Sequence, residues 1–347
     1  MNKRVTTKRV LVIYTGGTIG MVSSDQGYVP APGFEARLRQ HINEDVLRQL
    51  PEFEVLELEQ LIDSSNATPA DWARVATLLQ QHWQGYDGFV VLHGTDTMAY
   101  TASALSYMIQ PMDKPVIVTG SQIPLGVIRS DAVDNLTNSL LFATSNELFE
   151  VAISFGNRLL RGNCASKLKS SALDAFDSPN CEHLGKLQID VELNSQLLLK
   201  PGAPEFIIPQ YQNDSVKLLM LYPGIGEDMI TAPFNSPNTR AVIMISYGVG
   251  NPPDAHPALI PQLKQAVSNG IAVINLSHCV WGSVVQGAYA TGATLNRIGI
   301  TSGEDILLEA AFTKLHWLSA KGLIGEQLSA AFSQPIAGEI KAQATCK

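Results

Sequence analysis

Short runs of apolar, largely β-branched residues alternate along this chain with helical patterns, and the runs stop at glycines or small polar clusters. Gly88-Phe89-Val90-Val91-Leu92 is the clearest run and reads as a strand buried on both faces of a parallel sheet. His93-Gly94-Thr95-Asp96-Thr97 follows, after which Met98, Ala102, Leu105 and Met108 recur at helical spacing. The polar cluster therefore occupies a strand-to-helix turn at the carboxyl end of a strand, the edge where open α/β sheets bind ligands. Thr and Asp are also good helix caps, and capping alone is the commoner reason for such a turn.

A second turn of this kind shifts the balance. Val10 to Tyr14 forms a buried strand that ends in Thr15-Gly16-Gly17-Thr18-Ile19-Gly20, where paired glycines permit close approach of backbone to a ligand. Thr15 occupies the place of the first glycine in a dinucleotide-binding fingerprint, so that match is weak. Ser23 to Gly33 reads as a polar loop placed to close over a site. Phe53 to Leu58 is a further strand, followed by Asp63-Ser64-Ser65. Thr68-Pro69 with Asp71 then opens a helix through a capping box. The pattern predicts helix to about Trp83, helix from Met98 to about Ile109, strand Pro115 to Thr119 ending in Gly120-Ser121-Gln122, helix Asp131 to Asn146 and strand Glu150 to Phe155. This alternation implies a doubly wound, mainly parallel sheet. Its strand ends at Thr15–Thr18, Asp63–Ser65, Thr95–Thr97 and Ser121–Gln122 converge on one edge and suggest a polar pocket for a small ligand.

Beyond Arg161 the periodicity fades, and Lys200-Pro201-Gly202-Ala203-Pro204 is the plainest linker signal. The expected organisation is an N-terminal α/β domain over 1–198, a linker over 199–214 and a smaller C-terminal α/β domain over 215–347. The second series comprises strands Val216–Tyr222, Ala241–Ser246 and Ala272–Leu276, and helices near Pro257–Asn269, Glu304–Ala320 and Gly325–Phe332.

A length of 347 residues suits two domains, and 45% apolar with 16% charged residues fits a globular enzyme with a large core. The net charge of -8, with no basic tract, argues against nucleic acid or an anionic membrane as partner. The apolar run after the basic N-terminus is too short for a secretory segment, and no run approaches a membrane span. Cys164, Cys181, Cys279 and Cys346 are isolated, which points to a reducing cytoplasm, and neither they nor the histidines show metal-ligand spacing. A structural or catalytic zinc is thus not expected.

The turns supply threonines and an aspartate. A Thr hydroxyl becomes nucleophilic once a base takes its proton, and a lysine steadied by an Asp can serve as that base. Lys167 and Lys169 are both candidates, and periodicity does not choose between them. Backbone N–H groups of the glycine-rich turns could hold an oxyanion. His93 reads as a structural hydrogen-bonder, and Cys279 by itself as a small buried apolar residue. On chemistry alone the reading stops at a hydrolase or a small polar-ligand binder.

Thr15-Gly16-Gly17-Thr18-Ile19 together with His93-Gly94-Thr95-Asp96-Thr97-Met98 resembles the paired signature of the bacterial-type L-asparaginases, and of their cytoplasmic type I branch in particular. The likeness extends through Thr119–Leu125, Arg161-Gly162-Asn163, Ala175–Asn180, Tyr247–Asn251 and Tyr289-Ala290-Thr291-Gly292. It implies the two-domain asparaginase/glutaminase fold and hydrolysis of L-asparagine to L-aspartate and ammonia through a threonine acyl-enzyme, without metal or cofactor. By position Thr18 would be the nucleophile, with Tyr28 hydrogen-bonding near it. Thr95, Asp96 and Lys167 would form a proton-handling trio. Asp63, Ser64 and Ser65 would hold the substrate's amino and carboxylate groups, joined by Thr95, Asp96 and Ser121. The resemblance also implies a homotetramer, a dimer of dimers, in which Asn251 approaches the substrate of a neighbouring chain. Two other readings compete. One is the asparaginase-like subunit of a tRNA-dependent amidotransferase, against which counts a first strand near residue 10. The other is a non-catalytic amino-acid sensor, which would be expected to lack Thr18, Asp96 or the lysine.

Some type I members also bind asparagine at a regulatory site near the catalytic lysine, and the matching positions are Ser166, Ile245, Ser277, His278 and Cys279. Cys279 fits that pattern, whereas Ser166 stands where Thr is usual and Ile245 where an Arg is expected. An Arg can clamp an effector carboxylate bidentately and an Ile cannot. Initial rate against asparagine concentration is therefore expected to follow a hyperbola, and a sigmoidal curve would sink this expectation.

Overall fold

The computed structural model describes residues 8–25, 27–287 and 290–341. The basic residues before Lys8, Tyr289 of the Tyr289–Gly292 motif and Cys346 lie outside the described residues. The chain divides into two compact units, Met1–Ile208 and Pro209–Lys347.

The first unit contains strands β1 (Arg9–Gly16), β2 (Met21–Ser24), β3 (Gly27–Pro30), β4 (Glu52–Ile62), β5 (Gly88–Leu92), β6 (Val116–Thr119), β7 (Val151–Phe155), β8 (Arg158–Arg161), β9 (Ser166–Lys167), β10 (Phe176–Asp177), β11 (Gly185–Leu187) and β12 (Val191–Leu193). Its helices are α1 (Phe34–His41), α2 (Glu44–Leu47), α3 (Pro69–His82), α4 (Met98–Met108) and α5 (Ala132–Ala143). Eight strands form one sheet in the order β12-β11-β8-β7-β6-β5-β1-β4. From β4 to β7 neighbours pair in parallel, and β8, β11 and β12 continue antiparallel. Apolar runs buried on both faces make this possible: every residue of β5, β6 and β7 is buried. Val10, Val12, Tyr14, Val90, Leu92 and Ile117 form one core with Phe34 and Leu38 of α1 and Leu136 and Leu140 of α5.

The winding reverses at β1, with β4 on one side and β5 to β7 built outward on the other. A reversal opens a crevice at the carboxyl ends of the strands flanking it. The turns after β1, β4 and β5 are the polar turns singled out in the sequence.

Several expectations need correction. Residues 23–33 are not simply a loop: β2 and β3 pair as an antiparallel hairpin, Ser24 opposite Gly27. The stretch beyond Arg161 is not without strands either, since β9 through β12 lie within it, preceded by β8. Gly156 and Asn157, both at positive φ of 56° and 64°, form the two-residue turn that folds β8 back on β7. These strands are two to four residues long, too short for alternation to register.

The second unit has β13 (Val216–Met220), β14 (Ala241–Ser246), β15 (Ala272–Ser277) and β16 (Thr301–Ser302) in one parallel sheet in that order. Helices α6 (Glu227–Thr231), α7 (Leu259–Ser268), α8 (Ala290–Arg297), α9 (Leu308–Ala320) and α10 (Gly325–Phe332) accompany it. The fold is thus a two-domain α/β architecture, a larger mainly parallel sheet and a smaller one. The helix expected from Glu304 begins only at Leu308, because Glu304 has a left-handed φ of 54°. Among the described residues no helix is long and apolar enough to cross a membrane.

Helix α9 carries two ionisable groups into the interior. Lys314 Nζ meets Glu339 Oε1 at 2.5 Å and donates to Gln334 O at 2.7 Å, and both side chains of the ion pair are fully buried. His316 lies within 3.1 Å of Ser215 Oγ, and burial brings its pKa down to about 4. The unfolded chain, with an ordinary value of 6.5, therefore binds this proton more readily than the folded one. Stability is complete above pH 6.5 and falls as the pH drops towards 4. Between pH 7.5 and 4.5 the wild-type unfolding free energy should drop by about 2–3 kcal/mol more than that of His316→Gln, measured by urea titration at each pH. Equal drops would show that His316 does not carry this acid sensitivity.

Candidate active site

The crevice is built on the absence of side chains at two glycines. Gly17, at φ +84°, packs so closely on the next strand end that a Cβ would sit 2.5 Å from Gly94 Cα. A Cβ on Gly94 would in turn overlap Ser64 Oγ. The ends of β1, β4 and β5 are thereby brought into van der Waals contact, one residue from Thr18, Ser65 and Thr95.

Thr18 is half-buried and opens a single 3-10 turn, Thr18–Gly20. That turn is tied to the turn after β6 by Leu125 N–H donating to Ile19 O at 3.2 Å. Tyr28 lies on β3 of the hairpin, 51% exposed. Arg37 of α1 holds both feet of this hairpin, its Nη2 donating to Gly20 O at 2.9 Å and Ala31 O at 3.0 Å. Beneath them Tyr14 stacks on Phe34 with ring centroids 4.6 Å apart, and burial pushes its hydroxyl up to about 12.

After β4, Asp63 caps a short 3-10 turn, its Oδ1 accepting from Ser65 N–H at 3.1 Å. Ser64 is buried, whereas Asp63 and Ser65 are exposed. Thr68 behaves as the sequence predicts, its N–H donating to Asp71 at 2.9 Å at the start of α3.

After β5 the side chains converge. Lys167 Nζ lies 2.8 Å from Thr95 Oγ1 and 2.8 Å from Asp96 Oδ1. Thr95 is buried, Lys167 is 20% exposed at its side chain and Asp96 62%. Lys169 is instead paired with Asp174, so the geometry chooses between the two lysines. Lys167 reaches the crevice on β9, which pairs with β10 in the register Phe176 opposite Lys167. That small hairpin is braced behind by Asp177, which accepts from Arg158 at 3.0 Å and lies 2.7 Å from His183 Nε2.

Three groups at these turns serve the scaffold. His93 is buried, with Nδ1 2.7 Å from Gly94 O and Nε2 2.9 Å from Thr101 Oγ1. A carbonyl only accepts, so Nδ1 carries the proton and Nε2 accepts from Thr101. Burial keeps this imidazole below its ordinary pKa, hence neutral, in agreement with its reading as a structural group. Thr97 Oγ1 donates to Ser64 O at 2.7 Å, linking two of the turns. Ser121 is fully buried and donates to Ile123 O at 2.7 Å. Its neighbour Gln122, not singled out as a site residue, is the one that touches Thr95, at 3.3 Å. The polar turn Gly120-Ser121-Gln122 was visible in the sequence. Which of its side chains turns to the crevice was not.

In the second unit, Asn251 pairs its backbone with Tyr247, donating at 2.8 Å and accepting at 3.0 Å. Ile245 is an interior residue of β14. Ser277 Oγ donates to Gly248 O at 2.5 Å and accepts from Cys279 N–H at 2.9 Å. His278 Nε2 donates to Leu221 O at 2.9 Å, and Cys279 is exposed rather than buried. Ser166 belongs to the first unit, beside Lys167 on β9. Among the described residues no group of three or more His, Cys, Asp or Glu side chains is placed to hold a metal ion.

Comparison with known proteins gives a consistent picture. Residues 9–199 match the family profile described as "Asparaginase, N-terminal", and residues 215–332 match "Glutaminase/Asparaginase C-terminal domain". The chain is 43% identical over 337 residues to L-asparaginase 1 of Escherichia coli K12, covering 96% of this chain and 98% of that one. The crystal structure of L-asparaginase I from Vibrio cholerae superposes with a TM-score of 0.88 at 40% identity, covering 97% of this chain and 100% of that one. The thermostable L-asparaginase from Thermococcus kodakarensis superposes with a TM-score of 0.85 at 27% identity, covering 96% and 99%.

The glycine contact can be tested on stability. Gly17→Ala adds a methyl against the Gly94 backbone at a positive φ, and overpacking of this kind costs about 1–3 kcal/mol. The expected outcome is a lower thermal midpoint for Gly17→Ala than for Gly27→Ala, where φ is also positive but nothing lies within 4 Å. Equal midpoints would remove the close approach as a constraint.

Proposed function

This chain belongs to the asparaginase family and is an L-asparagine amidohydrolase, and we propose that it cleaves the amide by double displacement through a threonine acyl-enzyme. The Thr18 hydroxyl oxygen attacks the side-chain amide carbon, the C–N bond breaks, and the nitrogen leaves with the hydroxyl's proton as ammonia. The aspartyl ester that remains is opened by water. One proton of the water passes to Thr95 Oγ1 as the proton of Thr95 passes to the uncharged Lys167 amine, and Lys167 then returns it to Thr18 as the ester bond breaks. Asp96 steadies the lysine while it carries the charge. Backbone N–H groups at the Gly16-Gly17 and Gly94 turns are suited to the oxyanion.

The observation that carries this reading is the contact of Lys167 Nζ with Thr95 and Asp96, each at 2.8 Å. A base must lie within hydrogen-bond reach of the proton it takes, and this lysine does. Asp63, Ser64 and Ser65 take the α-amino and α-carboxylate groups, and Tyr28 closes over Thr18 from the hairpin. The reading extends to a catalytic domain over 1–198 joined by a linker at 199–214 to a domain over 215–347. It further includes a homotetrameric, cytoplasmic enzyme in which Asn251 serves a neighbouring chain's substrate, with Ser121 in a supporting role. Glutamine differs from asparagine by one methylene, worth about 1–3 kcal/mol of discrimination.

Ammonia release from asparagine and from glutamine, on wild type and Thr18→Ala, tests the mechanism. Turnover of asparagine is expected to fall by about 10³-fold or more in Thr18→Ala. Lys167→Met should behave likewise, whereas Lys169→Met, whose ammonium sits on Asp174, should keep its turnover. Undiminished hydrolysis by Thr18→Ala would exclude Thr18 as nucleophile.

A further inference from the structure

Gln122 is half-buried, and its side-chain amide is pinned at both ends. Nε2 donates to the carbonyls of Ser170 and Ala172, at 3.1 Å each. Carbonyl oxygens cannot donate, so the amide cannot be turned over, and Oε1 faces Thr95 Oγ1 at 3.3 Å. The backbone beneath is equally fixed. Gln122 N–H lies 3.1 and 3.0 Å from the two oxygens of Asp131, and Ile123 N–H adds a contact at 3.0 Å. Asn135 Nδ2 joins this carboxylate at 3.0 Å and also donates to Gly120 O at 2.9 Å.

The consequence falls on Thr95, whose hydroxyl has a single proton. An ammonium at Lys167 has donors only, so Thr95 Oγ1 must accept from it and direct its own proton elsewhere. The acceptor in place is Gln122 Oε1. We propose that Gln122 is a positioning residue for deacylation, accepting the hydrogen bond of the Thr95 hydroxyl as Lys167 becomes an ammonium and can no longer accept it. The proposal rests on the reading of Thr95 as the residue that passes the water's proton to Lys167. No proton is transferred to Gln122: before attack the Thr95 hydroxyl donates to the uncharged amine, and once Lys167 has taken that proton and the water has replaced it, Gln122 Oε1 accepts the hydrogen bond of the new one. Without that oxygen the proton that Thr95 takes from the water has no acceptor as Lys167 becomes charged, and leaving this buried donor unpaired costs about 10- to 100-fold in rate.

The specific readout is the partition between the two half-reactions. In Gln122→Met, rapid-quench measurement with L-asparagine should show a burst of ammonia equal to the enzyme present, then a steady state about 10- to 100-fold below wild type. KM should fall with kcat, leaving kcat/KM within about threefold, because attack by Thr18 does not use Thr95. Intact-mass spectrometry of the quenched variant should find the aspartyl adduct, and hydroxylamine, which attacks esters without a base, should speed its release. A loss of general structure would lower kcat/KM and give neither burst nor adduct. Gln122→Leu, also without polar atoms, gives the same test if the Met variant folds poorly. Wild-type kcat in either folded variant, or a fall in kcat/KM without a burst, would overturn the role of Gln122 and leave the acyl-enzyme reading intact. Full turnover by Thr18→Ala in the same assay would instead remove the reading beneath it.

Discussion

The contact between Gly17 and Gly94 is the constraint on which this site depends. With winding reversed at β1, the carboxyl ends of three adjacent strands face one crevice, yet strands in a sheet lie about 4.8 Å apart and their turns ordinarily diverge. Here the turns are drawn together because Gly17 offers no Cβ to Gly94, and Gly94 none to Ser64. Thr97, in the same turn as Gly94, reinforces the second of these contacts by donating to Ser64 O at 2.7 Å. The proposed nucleophile Thr18, the proposed proton relay Thr95 and the Asp63–Ser65 segment thus share one crevice through backbone packing, before any side-chain chemistry is considered.

The lysine is supplied differently. It arrives from outside the parallel sheet, on a two-residue strand that could not hold a side chain steady alone. Stability comes from its partner β10 and from the side-chain contacts behind it, Arg158 and His183 on Asp177 and Lys169 on Asp174. Exposed ion pairs contribute little individually. Several on one short hairpin nevertheless restrict where Lys167 can point, which matters more for the proton carrier proposed here than for folding free energy.

What the sequence reveals follows from these two modes of construction. The parallel strands are continuous apolar runs followed closely by glycine, so β1, β5, β6 and β7 and the turns after them are legible. The elements that are not legible are short or lie at edges. β9 and β10 have two residues each and no period, and the pairing of β2 with β3 leaves no apolar alternation to read. The Gly156-Asn157 turn was legible in principle, since adjacent Gly and Asn mark a tight hairpin. The choice of Lys167 over Lys169 was not, because it depends on the register of β9 against β10 and on the presence of Asp174 beside Lys169.

A polar residue at a strand end is thus ambiguous until its hydrogen bonds are known, and here most of them are committed to the scaffold. Thr15 donates to Leu92 O, Thr97 to Ser64 O, Thr119 to Ser154 O and Ser121 to Ile123 O. Each satisfies a backbone carbonyl where a turn leaves the sheet, and an unsatisfied carbonyl there would cost about 1–3 kcal/mol. Thr95 is the exception among these hydroxyls. Its oxygen faces a lysine and an amide rather than a backbone carbonyl, both aimed at it by contacts of their own. In the proposed relay, proton transfer at Thr95 then requires neither partner to move, only the hydroxyl to rotate between them. A hydroxyl committed to a backbone carbonyl would have to abandon it first.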